Sequence, residues 1–242
     1  MRYGIFSDVH SNLEALESVI TAYKQESIDK YLCVGDVVGY SANPKECIEK
    51  INLLAATTIA GNHDWASVDL FSTEYFNEIA KEAIFWTKNN LTQKETLFLE
   101  NLELIYKAEN FVLVHGTLDN PQDFNYMLDT FVAQDSFGIM DVNICFLGHT
   151  HIAGTFILTK DKEVFYTQEN LLTIKKENKY IVNAGSVGQP RDRNPDAAYC
   201  IYDSKTGEIQ FKRISYDVKT TREKIIKAGL PMFLGDRILV GR

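Results

Sequence analysis

The chain has 242 residues, 45% of them hydrophobic, and a formal net charge of -8. A chain of this size and composition can bury a full core, so we predict one domain spanning residues 1–242. The acidic balance disfavours stable nucleic-acid binding through the general surface, because that mode needs lysine and arginine to displace counterions from phosphates. Any anionic substrate therefore needs a local site.

Four cysteines are scattered along the chain without a CxxC pair, which indicates buried thiols in a reducing compartment. The N-terminus enters an apolar run directly and leaves no room for a secretory signal, so a cytoplasmic location is expected. No run of about 18 apolar residues occurs, so no membrane contact is predicted. The sequence leaves the oligomeric state open.

The first half of the chain alternates strand-like apolar runs with helix signals. In order, the predicted elements are a strand over 2–7, a helix capped by Ser11 with Glu14, a strand over 31–34, a helix from Asn43–Pro44 to about Leu54, a strand over 55–60, a helix over 75–89, and a helix capped by Thr92 with Glu95. This alternation is typical of an α/β fold.

The second half begins with strands over 111–114 and 144–147, with a helix over about 128–137 between them. Turn signals between Gly154 and Ile214 predict antiparallel hairpins. A last helix from about Thr220 should end at Gly229, leaving a short tail. The predicted class is a layered α/β fold with mixed parallel and antiparallel sheets flanked by helices.

All five histidines fall in short polar motifs at or near the carboxyl ends of predicted strands. Loops at those ends converge on one crevice in α/β sheets. The motifs are Asp8-Val9-His10, Gly35-Asp36-Val37-Val38-Gly39, Gly61-Asn62-His63-Asp64, Val114-His115-Gly116 and Gly148-His149-Thr150-His151. Each motif alone is weak, since a glycine-flanked polar pair is often a turn that bonds its own backbone. Together they predict a shared metal site.

Hydrolysis of a phosphate ester needs an activated water and neutralised phosphoryl oxygens, which two metal ions about 3.5–4 Å apart and joined by a carboxylate supply. Mixed imidazole and carboxylate ligands suit manganese, iron, zinc, nickel or cobalt better than calcium or magnesium.

This ordered motif series resembles the calcineurin-like metallophosphoesterase superfamily, in particular its compact bacterial and archaeal phosphodiesterase-type members. The segment Asn183-Ala184-Gly185-Ser186-Val187-Gly188-Gln189-Pro190-Arg191 resembles the same branch. The resemblance implies one metal on Asp8, His10, Asp36 and His151, and a second on Asp36, Asn62, His115 and His149. It also implies a metal-bridging hydroxide as nucleophile. His63, beside Asn62 at the substrate, would be the general acid or phosphate-contacting residue.

Several residues near these motifs allow two interpretations. Arg191 would bind a substrate phosphate or form a structural ion pair. Asp64 would orient an imidazole or cap a loop. Ser186 lies in a segment like a nucleophile elbow, but no histidine follows it in the chain, so that interpretation is rejected. Tyr40 is interpreted as packing.

Aromatic residues cluster over 65–86 and at Phe124, Tyr126 and Phe131. Most should be core, and we hypothesise that one or two cover the metals and stack on a nucleotide base.

The sequence therefore predicts a dinuclear-metal phosphoesterase acting on small phosphate mono- or diesters of nucleotide type, including dinucleoside polyphosphates. Two alternatives stay open. A Ser/Thr-type protein phosphatase would be expected to carry an Asp-Arg-Gly continuation after the bridging-aspartate motif, whereas this chain has the run Asp36-Val37-Val38-Gly39-Tyr40. A non-catalytic scaffold of the same fold would be expected to lose ligands that are all present here.

Overall fold

The computed structural model describes residues 1–242, and two six-stranded β-sheets form its centre. The strands are β1 (Arg2–Phe6), β2 (Lys30–Cys33), β3 (Thr57–Thr58), β4 (Ile105–Lys107), β5 (Phe111–Val114), β6 (Ile144–Leu147), β7 (Gly154–Leu158), β8 (Val164–Thr167), β9 (Leu171–Thr173), β10 (Lys179–Asn183), β11 (Ala197–Asp203) and β12 (Glu208–Ile214). The helices are α1 (Leu13–Tyr23), α2 (Pro44–Leu53), α3 (Asn62–Ala66), α4 (Glu78–Asn90), α5 (Gln93–Glu100), α6 (Thr130–Ile139), α7 (Val218–Lys227) and α8 (Met232–Ile238).

Both sheets mix strand directions, which confirms the predicted fold class. The first has the order β3-β2-β1-β11-β12-β9, and the second has the order β4-β5-β6-β10-β7-β8. Strands β1, β2 and β3 run parallel, as do β5, β6 and β10, while all other pairings are antiparallel. The loops that leave the parallel strands at their carboxyl ends therefore emerge together.

An apolar core joins the two sheets face to face. Ile5 and Leu32 of the first sheet belong to the same buried cluster as Leu113 and Phe146 of the second. Strands β5 and β6 are buried at every position, because their other face packs against α6 through residues such as Phe137. Full burial of one such side chain contributes about 1.5–3 kcal/mol, so this core fixes the strand ends firmly.

The cysteines and the helices can be compared with two predictions from the sequence, buried thiols and no contact with a membrane. All four cysteines are buried and unpaired, as predicted. None of the helices combines the length and the apolarity that crossing a bilayer requires. The assignment of the chain to one domain stays a prediction.

Three predicted elements differ in the structure. Ser11 is not the cap of α1, because its backbone is left-handed (φ 57°) and its N–H donates to the Val37 carbonyl; the Asn12 side chain caps the helix instead. The strand predicted over 55–60 shrinks to two residues, since Ala55 is also left-handed (φ 49°). The predicted short tail after Gly229 contains a further helix, α8.

Other local predictions are confirmed or shifted by a few residues. The Glu95 carboxylate accepts a hydrogen bond from the Thr92 N–H at 2.9 Å, as a capping box requires. The region from Gly154 to Ile214 contains the antiparallel pairs β7–β8 and β11–β12. Strand β10 departs from the hairpin prediction, because it pairs parallel with β6.

Candidate metal centre

The predicted ligand residues come together at the carboxyl ends of five strands. Each is at most 7% exposed, so the cluster lies beneath the surface. Asp8 and His10 follow β1, Asp36 follows β2, Asn62 begins the helix after β3, His115 follows β5, and His149 and His151 follow β6.

The backbone at these ends is unusual. Asp8, His10, Asp36, His149 and His151 all have positive φ angles between 48° and 68°. Residues other than glycine rarely adopt this left-handed region, and they hold it only where the surroundings fix it. Backbone hydrogen bonds do so here, for example from the Asp8 N–H to the Gly35 carbonyl at 3.0 Å. The turns thus aim consecutive polar side chains inward.

Two glycines leave room for the carboxylates. A Cβ on Gly61 would overlap the Asp36 carboxylate, and a Cβ on Gly148 would overlap the Asp8 carboxylate and the Ser7 hydroxyl. The close approach of backbone to carboxylate therefore requires glycine at both positions.

A first group of ligand atoms comes from Asp8, His10, Asp36 and His151, all within 4.8 Å of one another. The Nε2 atoms of His10 and His151 are 3.1 Å apart. His151 Nε2 is 3.2 Å from Asp8 Oδ1, and His10 Nε2 is 3.4 Å from Asp36 Oδ2. Lone pairs and carboxylate oxygens that converge in this way suit a cation between them.

A second group comprises Asp36, His115 and His149, again within 4.8 Å, so Asp36 belongs to both groups. His115 Nε2 is 3.3 Å from Asp36 Oδ2. The Oδ1 atom of Asn62 and the Nε2 atom of His149 are buried without a hydrogen-bond partner. A buried acceptor left unpaired costs about 1–3 kcal/mol, so these orphaned atoms fit metal ligands.

Backbone carbonyls fix the orientation of three imidazoles. The Nδ1 atoms of His10, His115 and His151 lie 3.1, 2.7 and 2.6 Å from the carbonyls of Val38, Val34 and Gln189. Each Nδ1–H donates to its carbonyl, which turns the Nε2 atom of each ring toward the centre.

The charges also suit cation binding. Burial raises the pKa of the Asp36 carboxyl, but the imidazoles of His115, His63 and His10 outweigh it and hold that pKa well below its usual range. Asp36 is therefore an anion at neutral pH. Burial lowers the pKa values of His10 and His149, which keeps both rings in the neutral form that ligates metals.

Of the two interpretations of Asp64, the structure supports loop capping. Its two oxygens accept hydrogen bonds from the backbone N–H groups of Val38 and Gly61, both at 3.0 Å. Burial and the nearby Asp36 carboxylate raise its pKa to about 7. Asp64 thus ties the loop after β2 to the loop after β3 and makes no hydrogen bond with His63.

His63 lies on α3 directly beside the cluster, and its backbone N–H donates to Asp36 Oδ1 at 2.8 Å. Its ring is enclosed by Tyr40, Phe76 and His10 at centroid distances of 4.3, 5.0 and 4.9 Å. Burial lowers the pKa of the imidazole to about 4, so the ring is neutral near pH 7. A neutral imidazole offers one N–H for donation.

An aromatic cavity of about 240 Å³ opens above His63 and the ligands Asn62 and His149. The Tyr126 ring stacks on the His149 ring with a centroid distance of 3.8 Å. Tyr40, interpreted from sequence as packing, lines this cavity, whereas Phe131 does not. The aromatic residues of the cavity are Tyr40, Phe71, Tyr75, Phe76, Phe124 and Tyr126.

Arg191 forms no ion pair, so the structural ion-pair interpretation is wrong. Its Nη2 donates to the Gln189 side chain at 2.9 Å, and its guanidinium lies 5.8 Å from the centre of the Tyr40 ring. Ser186, in the same loop, donates from its hydroxyl to the Asp8 carbonyl at 2.8 Å. That bond gives Ser186 a structural role, in agreement with the rejected nucleophile interpretation.

Comparisons with known proteins identify the family of this chain and several proteins similar to it. The profile of the calcineurin-like phosphoesterase superfamily domain matches residues 1–207. An uncharacterized protein of Methanocaldococcus jannaschii is 38% identical over 243 residues, covering 99% of this chain and 98% of the relative. A metallophosphoesterase crystal structure from Sphaerobacter thermophilus superposes with a TM-score of 0.88 at 33% identity, covering 100% and 99% of the two chains. A hypothetical protein of Pyrococcus horikoshii shares the fold, with a TM-score of 0.81 at 19% identity and coverages of 100% and 98%.

Proposed function

Because the chain belongs to the calcineurin-like phosphoesterase superfamily, we propose that it is a phosphoesterase with two divalent metal ions. Asp8, His10, Asp36 and His151 hold one ion in this proposal, and Asp36, Asn62, His115 and His149 hold the other. The observation that carries the proposal is the sharing of Asp36 between two buried ligand groups. The mixed nitrogen and oxygen donors fit manganese, iron, zinc, nickel or cobalt.

Divalent ions bound there would supply Lewis acidity and an activated water for attack on phosphorus. Asp8 and Asp36 contribute two negative charges, which two divalent cations exceed, so the loaded centre is positive inside an acidic protein. A local site of this kind attracts a phosphate ester that the rest of the surface would repel.

Three residues of the chain act on the substrate in this proposal. Asn62 orients the phosphoryl group at the cluster. The neutral His63 ring donates its N–H to a phosphoryl oxygen or to the leaving oxygen as the ester bond breaks. Arg191, free of carboxylate partners, binds a phosphate oxygen with its planar fork of donors.

The substrate class is a small nucleotide-type phosphate diester or phosphoanhydride. The aromatic cavity supports this assignment, because Tyr75 is 80% exposed and presents a ring face on which a base can stack. A protein phosphatase is less well supported, since no arginine follows the Asp36 motif. A cytoplasmic location is likewise part of the proposal.

The test is hydrolysis of bis-p-nitrophenyl phosphate and p-nitrophenyl phosphate by protein loaded with manganese or nickel, with and without a chelator. We expect chelator-sensitive hydrolysis that falls by at least about 10³-fold in Asp36→Asn, because the shared carboxylate holds both ions. Asp69→Asn is the matched control, since Asp69 is an exposed partner of Lys88. Chelator-resistant hydrolysis, or full activity in Asp36→Asn, would contradict the proposal, and inactivity with every substrate would favour a non-catalytic scaffold.

A further inference from the structure

A second cavity, of about 640 Å³, lies on the other side of Tyr126 from the aromatic cavity. We call it the arginine cavity, because Arg191 and Arg193 both line it. Its apolar wall consists of Met127, Leu128, Ile152, Phe156 and Tyr166. The segment 124–130 separates the two cavities, with Phe124 to Tyr126 facing the first and Met127 to Thr130 facing the second.

The arginine cavity is bordered by residues that lie next to, or are hydrogen-bonded to, two predicted ligands. Thr150, which lies between two of the predicted ligands in the chain, lines the cavity, and the Asn183 amide donates to its hydroxyl at 2.8 Å. The Arg191 N–H donates to the His151 carbonyl at 3.2 Å. The cavity therefore lies close to the predicted ligands His149 and His151.

The arginines of this chain fall into two classes. Arg2, Arg213 and Arg222 form ion pairs with carboxylates within 4.0 Å. The other four arginines do not, although the protein has an excess of acidic residues. Those four are Arg191, Arg193, Arg237 and Arg242.

These four arginines, which have no aspartate or glutamate partner, belong to two segments that touch. The Arg193 N–H donates to the Gly241 carbonyl at 2.8 Å, and Gly241, with φ 62°, packs so closely on Asn194 that a side chain there would overlap it. Burial, reinforced by the positive charge of Arg191, lowers the pKa of Arg237 to about 10. Two cations, Arg191 and Arg193, thus line the cavity, and a third, Arg237, lies near enough to Arg191 for their charges to interact.

The acidic residues that line the same cavity form no ion pair with Arg191 or Arg193. Asp192 forms its ion pair with Arg213, on the neighbouring strand β12. Asp129 caps α6 by accepting hydrogen bonds from the N–H groups of Phe131 and Val132, at 2.9 and 3.0 Å. The Nε atom of Arg191 is also buried without a partner. The cavity therefore has unused donors of the type that bind phosphate bidentately.

From these observations we propose that the arginine cavity binds a second phosphate of the substrate, with Arg193 as a specificity-determining contact. The proposal rests on the proposed function, and it narrows the substrate to a phosphoanhydride whose leaving part carries at least one further phosphate. The apolar wall beyond the arginines accommodates the group at the far end. A lone diester would leave these cations without a ligand.

A binding experiment tests the cavity independently of activity. Inorganic tripolyphosphate is titrated calorimetrically into metal-free protein, with orthophosphate as the comparison ligand. We expect tripolyphosphate to bind more tightly than orthophosphate, and Arg193→Gln to weaken it about tenfold or more, the size of one lost charge-assisted contact. Arg193→Lys should retain part of the affinity. Arg222→Gln is the control, because it removes an arginine that is paired with Asp236.

A kinetic experiment on the metal-loaded protein separates this proposal from the proposed function. Arg193→Gln should raise the KM for diadenosine tetraphosphate about tenfold more than the KM for bis-p-nitrophenyl phosphate, which has a single phosphate. Equal effects on both substrates, or tripolyphosphate affinity unchanged in Arg193→Gln, would overturn the second-phosphate site while leaving metal-dependent hydrolysis intact. Loss of all hydrolysis in the wild-type protein would instead overturn the proposed function, and calorimetry would still report on the cavity.

Discussion

The candidate metal centre and the two cavities beside it are built in opposite ways. The ligands of the centre are all buried, and five of them occupy left-handed backbone that tight strand-end turns enforce. The cavities combine buried side chains with exposed ones such as Tyr75 and Leu128, at 80% and 71% exposure, from segments far apart in the chain.

This contrast implies that the buried centre determines the chemistry and that the cavities determine substrate selectivity. A buried cluster held by short turns has little room to adjust, so a change there should affect every substrate through kcat. The cavity side chains are exposed at one end, so a change there should affect only those substrates that reach them, mainly through KM. The following predictions test that division, from the largest expected effect to the smallest.

Substitution His63→Ala should lower kcat for bis-p-nitrophenyl phosphate by about 10²–10⁴-fold, the usual contribution of a positioned proton donor. Its metal content, measured by elemental analysis, should match that of the wild type, since His63 is not among the proposed ligands. A kcat close to the wild-type value would remove His63 from the reaction.

Substitution Gly61→Ala should lower kcat by about 10²-fold for all substrates, because a Cβ would displace the Asp36 carboxylate and a shift of about 1 Å can cost this much. The matched control is Gly138→Ala in α6, where an added Cβ meets nothing within 4 Å. That control should keep full activity and, since alanine favours helix, unfold at the same or a slightly higher temperature. Similar losses in both variants would contradict the crowding argument.

Substitution Tyr75→Ala should raise the KM for a dinucleotide about tenfold, consistent with loss of one stacking contact. Bis-p-nitrophenyl phosphate should be affected much less. Phe85→Ala serves as the control, because Phe85 is also exposed but lies on α4 outside the aromatic cavity. If Tyr75→Ala affected nucleotide and non-nucleotide substrates equally, the base-stacking role would be wrong.

Removal of the metal ions should lower the melting temperature by about 5–10 °C, since a ligand present at 100 times its Kd stabilises by about 2.7 kcal/mol. Differential scanning calorimetry with and without manganese measures this shift. The wild type and Tyr75→Ala should shift alike, whereas Asp36→Asn should shift much less. An equal shift in Asp36→Asn would place the stabilising ions elsewhere.

The convergence of the predicted ligand residues could be foreseen from the sequence, because each belongs to a short motif directly after a strand. Asp36 and the five histidines could be identified from the sequence with one structural assumption, that the carboxyl ends of parallel strands converge. The left-handed turns that aim them could not be predicted, since aspartate and histidine, although enriched at positive φ, adopt it in only a minority of their occurrences. Ser11 was misjudged for this reason: its left-handed backbone cannot serve as a helix cap.

The cavities were much harder to predict. Tyr126, Arg193 and Arg237 belong to no motif, and their proximity depends on loops meeting across long sequence separations. Helix α8 was missed because it is short and follows Pro231 closely. Arg191 was identified from the loop to which it belongs. Its role depends on whether it has an acidic partner, and that is a property of the tertiary structure.

The central claim is that one carboxylate, Asp36, is shared by two metal ions. The most direct test is to count the metal ions per chain by elemental analysis of manganese-loaded protein after removal of free metal. The proteins compared are the wild type, His151→Ala and His149→Ala. The wild type should retain two ions per chain, and each variant should retain one, because each histidine belongs to a different ligand group. A single ion in the wild type, or two ions in both variants, would contradict the claim.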